Sequence, residues 1–186
     1  MRYCLIETEI GPIGLAWSAE GLTRLQLPEK SRDATERRLL KRCADVEFAS
    51  ADAAPPNIAN FLARYAAGER VDFSAVPLDL TGIDDFGQSI YRATRSVAWG
   101  ETTTYGALAK QVGAPDAARA VGGAMGRNPL PIIIPCHRVL ASGGKSGGFS
   151  AFGGVLTKER LLALEGVYLG GGTPLLPGLI PSASHV

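Results

Sequence analysis

Residues able to hold a metal or form a crosslink are scarce in this chain. Among 186 residues there are 3 cysteines and 2 histidines. Cys4, Cys43, Cys136, His137 and His185 show neither paired nor clustered spacing, which argues against a zinc site or a disulfide framework and predicts free thiols. Long apolar runs are also missing. No stretch approaches the roughly 18–20 residues that a membrane-spanning helix needs, and Arg2, Glu7 and Glu9 fall where a secretory signal would be apolar. The expectation is a cytoplasmic, nucleoid-associated protein with no membrane contact. A phosphate-binding glycine loop is not supported either, since Gly144-Lys145-Ser146 lacks the upstream glycine that such a loop requires. With 46% apolar and 20% charged residues, the composition suits a soluble globular chain with one well-buried domain or two small ones.

The net charge of +1 conceals an asymmetry. Residues 1–85 hold 10 Lys and Arg against 14 Asp and Glu, whereas residues 86–186 hold 9 against 4. Positive surplus in one half suits a polyanion such as nucleic acid, and it also suits a plain solvated basic face.

The first half reads as short strands followed by helices. Tyr3 and Leu5, then Ile13, Leu15 and Trp17, alternate around the turn Glu9-Ile10-Gly11-Pro12. Leu22, Leu25 and Leu27 follow the turn at Glu20-Gly21, so the pattern predicts a small antiparallel meander. Ser31 can cap a helix running to about Cys43. After Pro56, the spacing of Ile58, Phe61, Leu62 and Tyr65 predicts an amphipathic helix that Gly68 stops. Nothing catalytic stands out here; Cys4, Cys43 and Trp17 read as packing residues. The segment from Val71 to Gly82 lacks periodicity and is taken as the junction.

Beyond it, Asp84 or Asp85 can cap a helix with Phe86, Ile90, Ala93 and Val97 on one face, ending before Gly100. Thr103 or Thr104 can cap a short helix through Leu108 and Val112. Gly113 ends that helix, and Pro115 can open the next one, to about Met125. The pattern is a helix-turn-helix. Its second helix offers Arg119 alone among small residues, which suits contact with a nucleic-acid backbone or entry into a minor groove better than reading of base edges. An Ala/Gly-rich helix packed inside a protein has the same composition.

Cys136 ends the apolar run Ile132-Ile133-Ile134-Pro135 and stands directly before His137 and Arg138. A thiolate is the nucleophilic form of cysteine, and an imidazole and a guanidinium nearby favour it. A buried cysteine at a strand end is the competing reading.

Several blocks together carry a resemblance. Thr104-Tyr105-Gly106 with Leu108-Ala109 comes first, then Ala118-Arg119-Ala120-Val121-Gly122-Gly123-Ala124-Met125. Asn128-Pro129 and Pro131, the run Ile134-Pro135-Cys136-His137-Arg138-Val139, and Leu161-Leu162 with Glu165-Gly166 follow. In order and spacing these blocks resemble the O6-alkylguanine-DNA alkyltransferases, closely from about Phe86 to Gly166 and only loosely over residues 1–80.

The resemblance implies a protein that moves an alkyl group from O6 of guanine in double-stranded DNA, and from O4 of thymine, irreversibly onto Cys136. It also implies single turnover, no cofactor and no metal. His137 would take the thiol proton through a water, and Glu165 would orient the imidazole. Asn128 would couple the DNA-binding helix to the cysteine. Tyr105 would donate to N3 of the guanine and help rotate the nucleotide, and Arg119 would fill the space left by the flipped base. Ala120, Gly122 and Gly123 would lie against the minor groove with little sequence preference. Met125, Val139, Phe149, Ser150 and Lys158 would line the alkylguanine pocket, with Lys158 near its mouth. Carbonyls of Cys136 and Val139 would meet the guanine amino group, and amides near Phe149 and Ser150 would meet O6.

The chain departs from the family pattern at Phe149, where tyrosine is frequent, and at Ala151-Phe152, which resemble an insertion. The fold implied is α/β of the α+β type. A small antiparallel sheet with helices makes a domain over 1–80, a mainly helical, winged-helix-like domain spans 81–169, a flexible tail covers 170–186, and the protein is a monomer. Two other functions fit parts of the pattern. One is a non-catalytic alkyltransferase-like lesion binder, which Cys136 argues against because tryptophan resembles the replacement there. The other is a Cys-His hydrolase.

Overall fold

A computed structural model of the chain describes residues 1–43 and 45–169, so His185 and the expected tail lie outside the described residues. The first half builds the meander. Strands β1 (Arg2–Ile6), β2 (Ile13–Trp17) and β3 (Leu22–Gln26) pair antiparallel in sequence. A short strand β4 (Glu47–Phe48) adds parallel to β1, giving the order β3-β2-β1-β4. Two exposed residues carry no alternation that would announce such a strand.

The register distributes the strand residues over two faces. Cys4 pairs with Leu15 and Ile6 with Ile13, so these point into the main core with Trp17. Tyr3 pairs with Ala16 and joins Leu39 on the opposite face. Tyr3 and Leu5 therefore do not share a face with Ile13, Leu15 and Trp17. Both faces of β2 are covered because helix α1 (Arg32–Leu40) lies over the second one. Gly14 permits this approach, since a Cβ there would sit 3.0 Å from Leu39 Cδ2. Ser31 Oγ accepts from Ala34 N at 3.2 Å and starts α1 as expected, but the helix ends at Leu40, short of Cys43.

Helix α2 (Ile58–Ala66) buries Ile58, Leu62, Tyr65 and Ala66. The junction is docked on β3, with Leu22 N donating to Pro77 O at 3.0 Å and Asp79 N to Leu22 O at 2.9 Å. Arg95 Nη2 donates to the carbonyls of Phe73, Ser74 and Val76. One apolar cluster consequently runs from the meander through α2 into the second half.

Helix α3 (Asp85–Arg95) starts at Asp84, whose carboxylate accepts from Gly87 N at 2.7 Å. Its buried face is Gly87, Ile90, Tyr91, Ala93 and Thr94. Phe86 is 37% exposed and Val97 lies beyond the helix, so the expected face is shifted by one column. Strand β5 (Thr103–Thr104) runs into helix α4 (Tyr105–Gln111), and helix α5 (Ala118–Gly126) follows. Pro115 does not open α5. A turn closed by Ala117 N to Ala114 O at 2.9 Å separates the proline from the helix.

A strand β6 (Val139–Leu140) pairs parallel with β5, and helix α6 (Val155–Leu164) is the last element among the described residues. The β5–β6 pair links the residue before Tyr105 to the segment directly after Cys136-His137-Arg138. Thr104 serves both structures, because its hydroxyl also accepts from Ala107 N at 3.1 Å and caps α4. Thr104→Ala should cost roughly 1 kcal/mol of stability, read as a lowered urea midpoint. An unchanged midpoint would show that the cap contributes nothing.

Candidate active site

Cys136, His137 and Arg138 form a single turn of 3-10 helix, and all three are buried. What precedes the turn is held by Asn128. Its side-chain amide donates to Ile134 O at 2.8 Å while its carbonyl oxygen accepts from Leu130 N at 2.9 Å, bridging the apolar run at both ends. Asn128 thus joins the end of α5 to the cysteine turn. Within the bridged segment Ile132 adopts a φ of +73° while almost fully buried. A β-branched residue in that region is strained by about 1–3 kcal/mol and persists only when its surroundings dictate it. No local sequence signal marks it.

Glu165 reaches the turn from beyond the end of α6. Gly166, with φ of +78°, ends the helix in the left-handed region, and its N–H bonds to Ala163 O at 3.0 Å. The carboxylate preceding it is turned inward and only 4% exposed. It bonds His137 Nε2 through Oε1 at 2.7 Å, Arg138 Nε through Oε2 at 2.7 Å and Arg138 Nη2 through Oε1 at 2.9 Å. Burial pushes the Glu165 carboxyl up, but the hydrogen bonds from His137 and Arg138 outweigh it and hold the group down at about 2. An ionised carboxylate only accepts hydrogen bonds, so Nε2 of His137 is the protonated nitrogen of the neutral ring and Nδ1 is an acceptor. Nδ1 is buried and has no hydrogen-bond partner among the described residues. Burial pulls the His137 pKa down, more than Glu165 raises it, and keeps the ring neutral.

The thiol itself is not pre-ionised. Burial pushes the Cys136 pKa up, against opposing pulls from the Asn128 side chain, the charge of Lys158 and the N–H groups of Cys136 and His137. This corrects the expectation for Arg138. Its guanidinium faces away from the thiol, spent on Glu165 and on Val97 O at 2.6 Å. A neutral imidazole beside a neutral thiol is an acceptor waiting for a proton, not a stored ion pair.

Lys158 is also placed differently from expectation. It is fully buried, not at a pocket mouth. Its Nζ donates to Val139 O at 2.6 Å and to Ser146 O, and lies 5.9 Å from the Tyr105 ring centroid. Lys158 therefore pins the Gly-rich loop 142–148 to β6. Above Cys136 a cleft is lined by Met125, Asn128, Phe149, Ser150 and Ala151, together with Arg38 of α1 and Arg42 just beyond it. Met125, Phe149 and Ser150 thus line one cleft with Cys136, and the two arginines were not foreseen.

Tyr105 is half-buried at the first position of α4. On α5, Val121, Ala124 and Met125 face inward while Arg119 and Ala120 are exposed and Gly122 and Gly123 partly so. A Cβ on Gly122 would find its nearest neighbour 4.0 Å away, at Tyr105 Cδ1. The small residues of this face are therefore not required by packing within the chain, which removes the reading of α5 as a tightly packed interior helix.

The residue that sequence reasoning missed is Tyr65. It is fully buried on α2, in the half judged free of chemistry, and its hydroxyl donates to Glu165 Oε1 at 3.0 Å and lies 3.3 Å from His137 Nε2. Helical periodicity marked it as core, and periodicity does not separate a phenol from a phenyl ring.

A buried thiol with a neutral imidazole behind it, next to a helix-turn-helix, defines a nucleophilic cysteine protein built on a DNA-binding scaffold. Residues 85–167 match the model of the DNA-binding domain of 6-O-methylguanine DNA methyltransferase, and residues 1–80 match the model of its ribonuclease-like domain. A methylated-DNA–protein-cysteine methyltransferase of Mycobacterium tuberculosis is 39% identical over 165 residues, covering 89% of this chain and 92% of its own. A protein of the same name from Methanosarcina acetivorans is 38% identical over 167 residues, covering 89% and 99%. Among solved structures, Mycobacterium tuberculosis OGT in complex with DNA is similar with a TM-score of 0.72 at 39% identity, over 89% of this chain and 93% of that one. The O6-methylguanine-DNA methyltransferase of the archaeon Pyrococcus kodakaraensis gives 0.67 at 28% identity, over 89% and 99%. The chain belongs to the 6-O-methylguanine DNA methyltransferase family.

The buried His137–Glu165 pair makes stability depend on acid in two windows. His137 has a depressed pKa in the folded state, so the unfolded chain binds the extra proton first and stability falls as pH drops through the ordinary value of 6.5. Glu165, held at about 2 against an ordinary 4.5, loses its contribution between those values, about 3 kcal/mol in all. Urea midpoints should therefore decline from pH 7 downward and fall steeply below pH 4.5. A midpoint constant from pH 7 to 4.5 would show that His137 is not held neutral.

Proposed function

We propose that this protein repairs DNA by direct reversal, moving the alkyl group of O6-alkylguanine onto Sγ of Cys136 in one irreversible event. The observation that carries this is the Nδ1 acceptor of His137, fixed by Glu165, one residue from a buried thiol. The thiol proton passes to His137, the sulfur attacks the alkyl carbon, and the C–O6 bond breaks with its electron pair going to guanine. The proton that left the thiol balances the one guanine needs at N1, so no cofactor enters. A thioether has no ready leaving route, which makes Cys136 a single-use acceptor. A non-catalytic lesion binder would need neither the thiol nor its relay.

Double-stranded DNA is the partner, and α5 supports minor-groove contact through Arg119, Ala120, Gly122 and Gly123. Such a face touches phosphates and sugar and reads little sequence. Extrusion of the target nucleotide is required because the alkyl carbon is inaccessible in the stack, at a cost of a few kcal/mol. Tyr105, half-buried at the start of α4, and Arg119, on the exposed face of α5, suit rotation of the nucleotide and occupation of its place. Met125, Val139, Phe149 and Ser150 suit the base pocket, with Lys158 setting the loop from beneath. We further assign residues 1–80 and 81–169 as two domains of a monomer, and extend the substrate range to O4-alkylthymine.

Incubation with excess duplex carrying O6-methylguanine should repair at most one lesion per protein molecule. Multiple turnovers would overturn the proposal. Cys136→Ala should abolish transfer and retain duplex binding, whereas His137→Phe and Glu165→Gln should slow single-turnover transfer by roughly 10²- to 10⁴-fold.

For the helix face, Arg119→Ala should slow repair of duplex more than alkylation by free O6-benzylguanine, which needs no extrusion. Gly122→Ala should leave the fold as stable or stabilise it by about 0.5–1 kcal/mol, because alanine is the better helix residue, while weakening duplex binding. Equal impairment of free base and duplex by Arg119→Ala, or unchanged affinity in Gly122→Ala, would remove this face from DNA contact.

A further inference from the structure

Among the described residues of the first half, Tyr65 is the one whose side chain bonds to the His137–Glu165 pair. Its ring is locked edge-on against Trp99, with centroids 5.5 Å apart, and against Phe73 at 6.0 Å. The hydroxyl has therefore no freedom to leave Glu165. Oε1 of that carboxylate receives Tyr65, His137 and Arg138, whereas Oε2 receives Arg138 alone. The loaded oxygen is the one that faces the catalytic imidazole.

We propose that Tyr65 is a positioning residue for the relay: by donating to Glu165 Oε1 it fixes that oxygen against His137 Nε2 and limits how strongly the carboxylate holds the imidazole proton. It acts through Glu165 and His137 and does not touch the substrate. The inference rests on the alkyl-transfer reading given above. A carboxylate with too much unshared charge beside Nε2 would favour imidazolium, and an imidazolium cannot accept the thiol proton. A phenol meets the requirement well, since it donates while remaining neutral. Burial, and then the Glu165 charge, push the Tyr65 pKa far up, so the hydroxyl keeps its proton throughout the working range.

The groups that face His137 are Tyr65 from α2, Glu165 from the end of α6, Lys158 from within α6, and Cys136 and Arg138 from its own turn. Lys158 and Arg138 oppose a charged ring, and Glu165 favours one. Tyr65 moderates the single favourable partner. It also explains why the first half of the chain bears on chemistry located in the second. Loss of the Tyr65 hydroxyl acts on the relay without removing any atom of the cleft above Cys136.

The test is Tyr65→Phe in the full chain, with two readouts. The first is the NMR titration of the His137 ring, which does not depend on activity. The second is the pH profile of single-turnover alkylation of Cys136 by O6-benzylguanine. Removing the donor should raise the His137 pKa and move the acid limb of the rate profile to higher pH by about half a unit or more, a slowing of about threefold on that limb.

Replacing Tyr65 with 3-fluorotyrosine, a stronger donor of the same shape, should shift both curves the opposite way. It decides the matter even if Tyr65→Phe fails to fold. A His137 titration unmoved in either variant would overturn the proposal and leave Tyr65 a packing residue. Failure of the natural protein to be alkylated, with His137 shifting as described, would instead overturn the alkyl-transfer reading alone.

Discussion

A buried carboxylate governs this structure. Glu165 sits where water cannot reach it, at the C-terminal end of a helix whose dipole repels negative charge, and is held ionised by donors from two separate parts of the chain, α2 and the cysteine turn. An unpaired charge in that place would cost several kcal/mol. Arg138 meets this need, and its commitment to Glu165 and to Val97 O ties the end of α6, the cysteine turn and the loop after α3 into one unit. The guanidinium next to the nucleophile is thus structural in what it touches. With Arg138 neutralising the carboxylate, His137 can remain an uncharged ring with a defined tautomer.

Two constraints connect this unit to α4 and α5. Asn128 fixes the backbone between α5 and Cys136 through two hydrogen bonds, and the strained Ile132 lies inside the span it bridges. The β5–β6 pair fixes the start of α4, hence Tyr105, to the far side of the same turn. A displacement of α4 or α5 is therefore felt at the cysteine, a coupling that the proposed extrusion of a nucleotide toward the thiol would use. Lys158 adds a third tie, from beneath the Gly-rich loop to β6.

Much of this was legible in the sequence, for physical reasons that differ between residues. Ser31, Asp84 and Thr104 announced their helices because a side-chain oxygen before an apolar pattern satisfies the free N–H groups of a first turn. The meander was legible from its turns and alternation, although the face on which Tyr3 and Leu5 lie depends on register, which only the pairing reveals. Cys136 and His137 stood out by their adjacency at the end of an apolar run, whereas the roles expected of Asn128 and Glu165 came from a resemblance in the order and spacing of motifs. Pro115 misled because a proline suits a first helical turn and a connecting turn equally. Arg138 and Lys158 misled because charge identifies a residue's capacity but not its partner. Tyr65 was invisible because burial and periodicity describe its ring, and the chemistry lies in one hydroxyl that meets residues distant in sequence.

The proposed chemistry depends on which nitrogen of His137 carries the proton. Long-range proton–nitrogen NMR of the natural protein at neutral pH, with His137 assigned through its loss in His137→Phe, reads this directly. The expected result is a neutral ring with Nε2 protonated and Nδ1 bare, unchanged when Cys136 is replaced by alanine. A ring protonated at Nδ1, or one doubly protonated at neutral pH, would leave the thiol without an acceptor and contradict the mechanism at its centre.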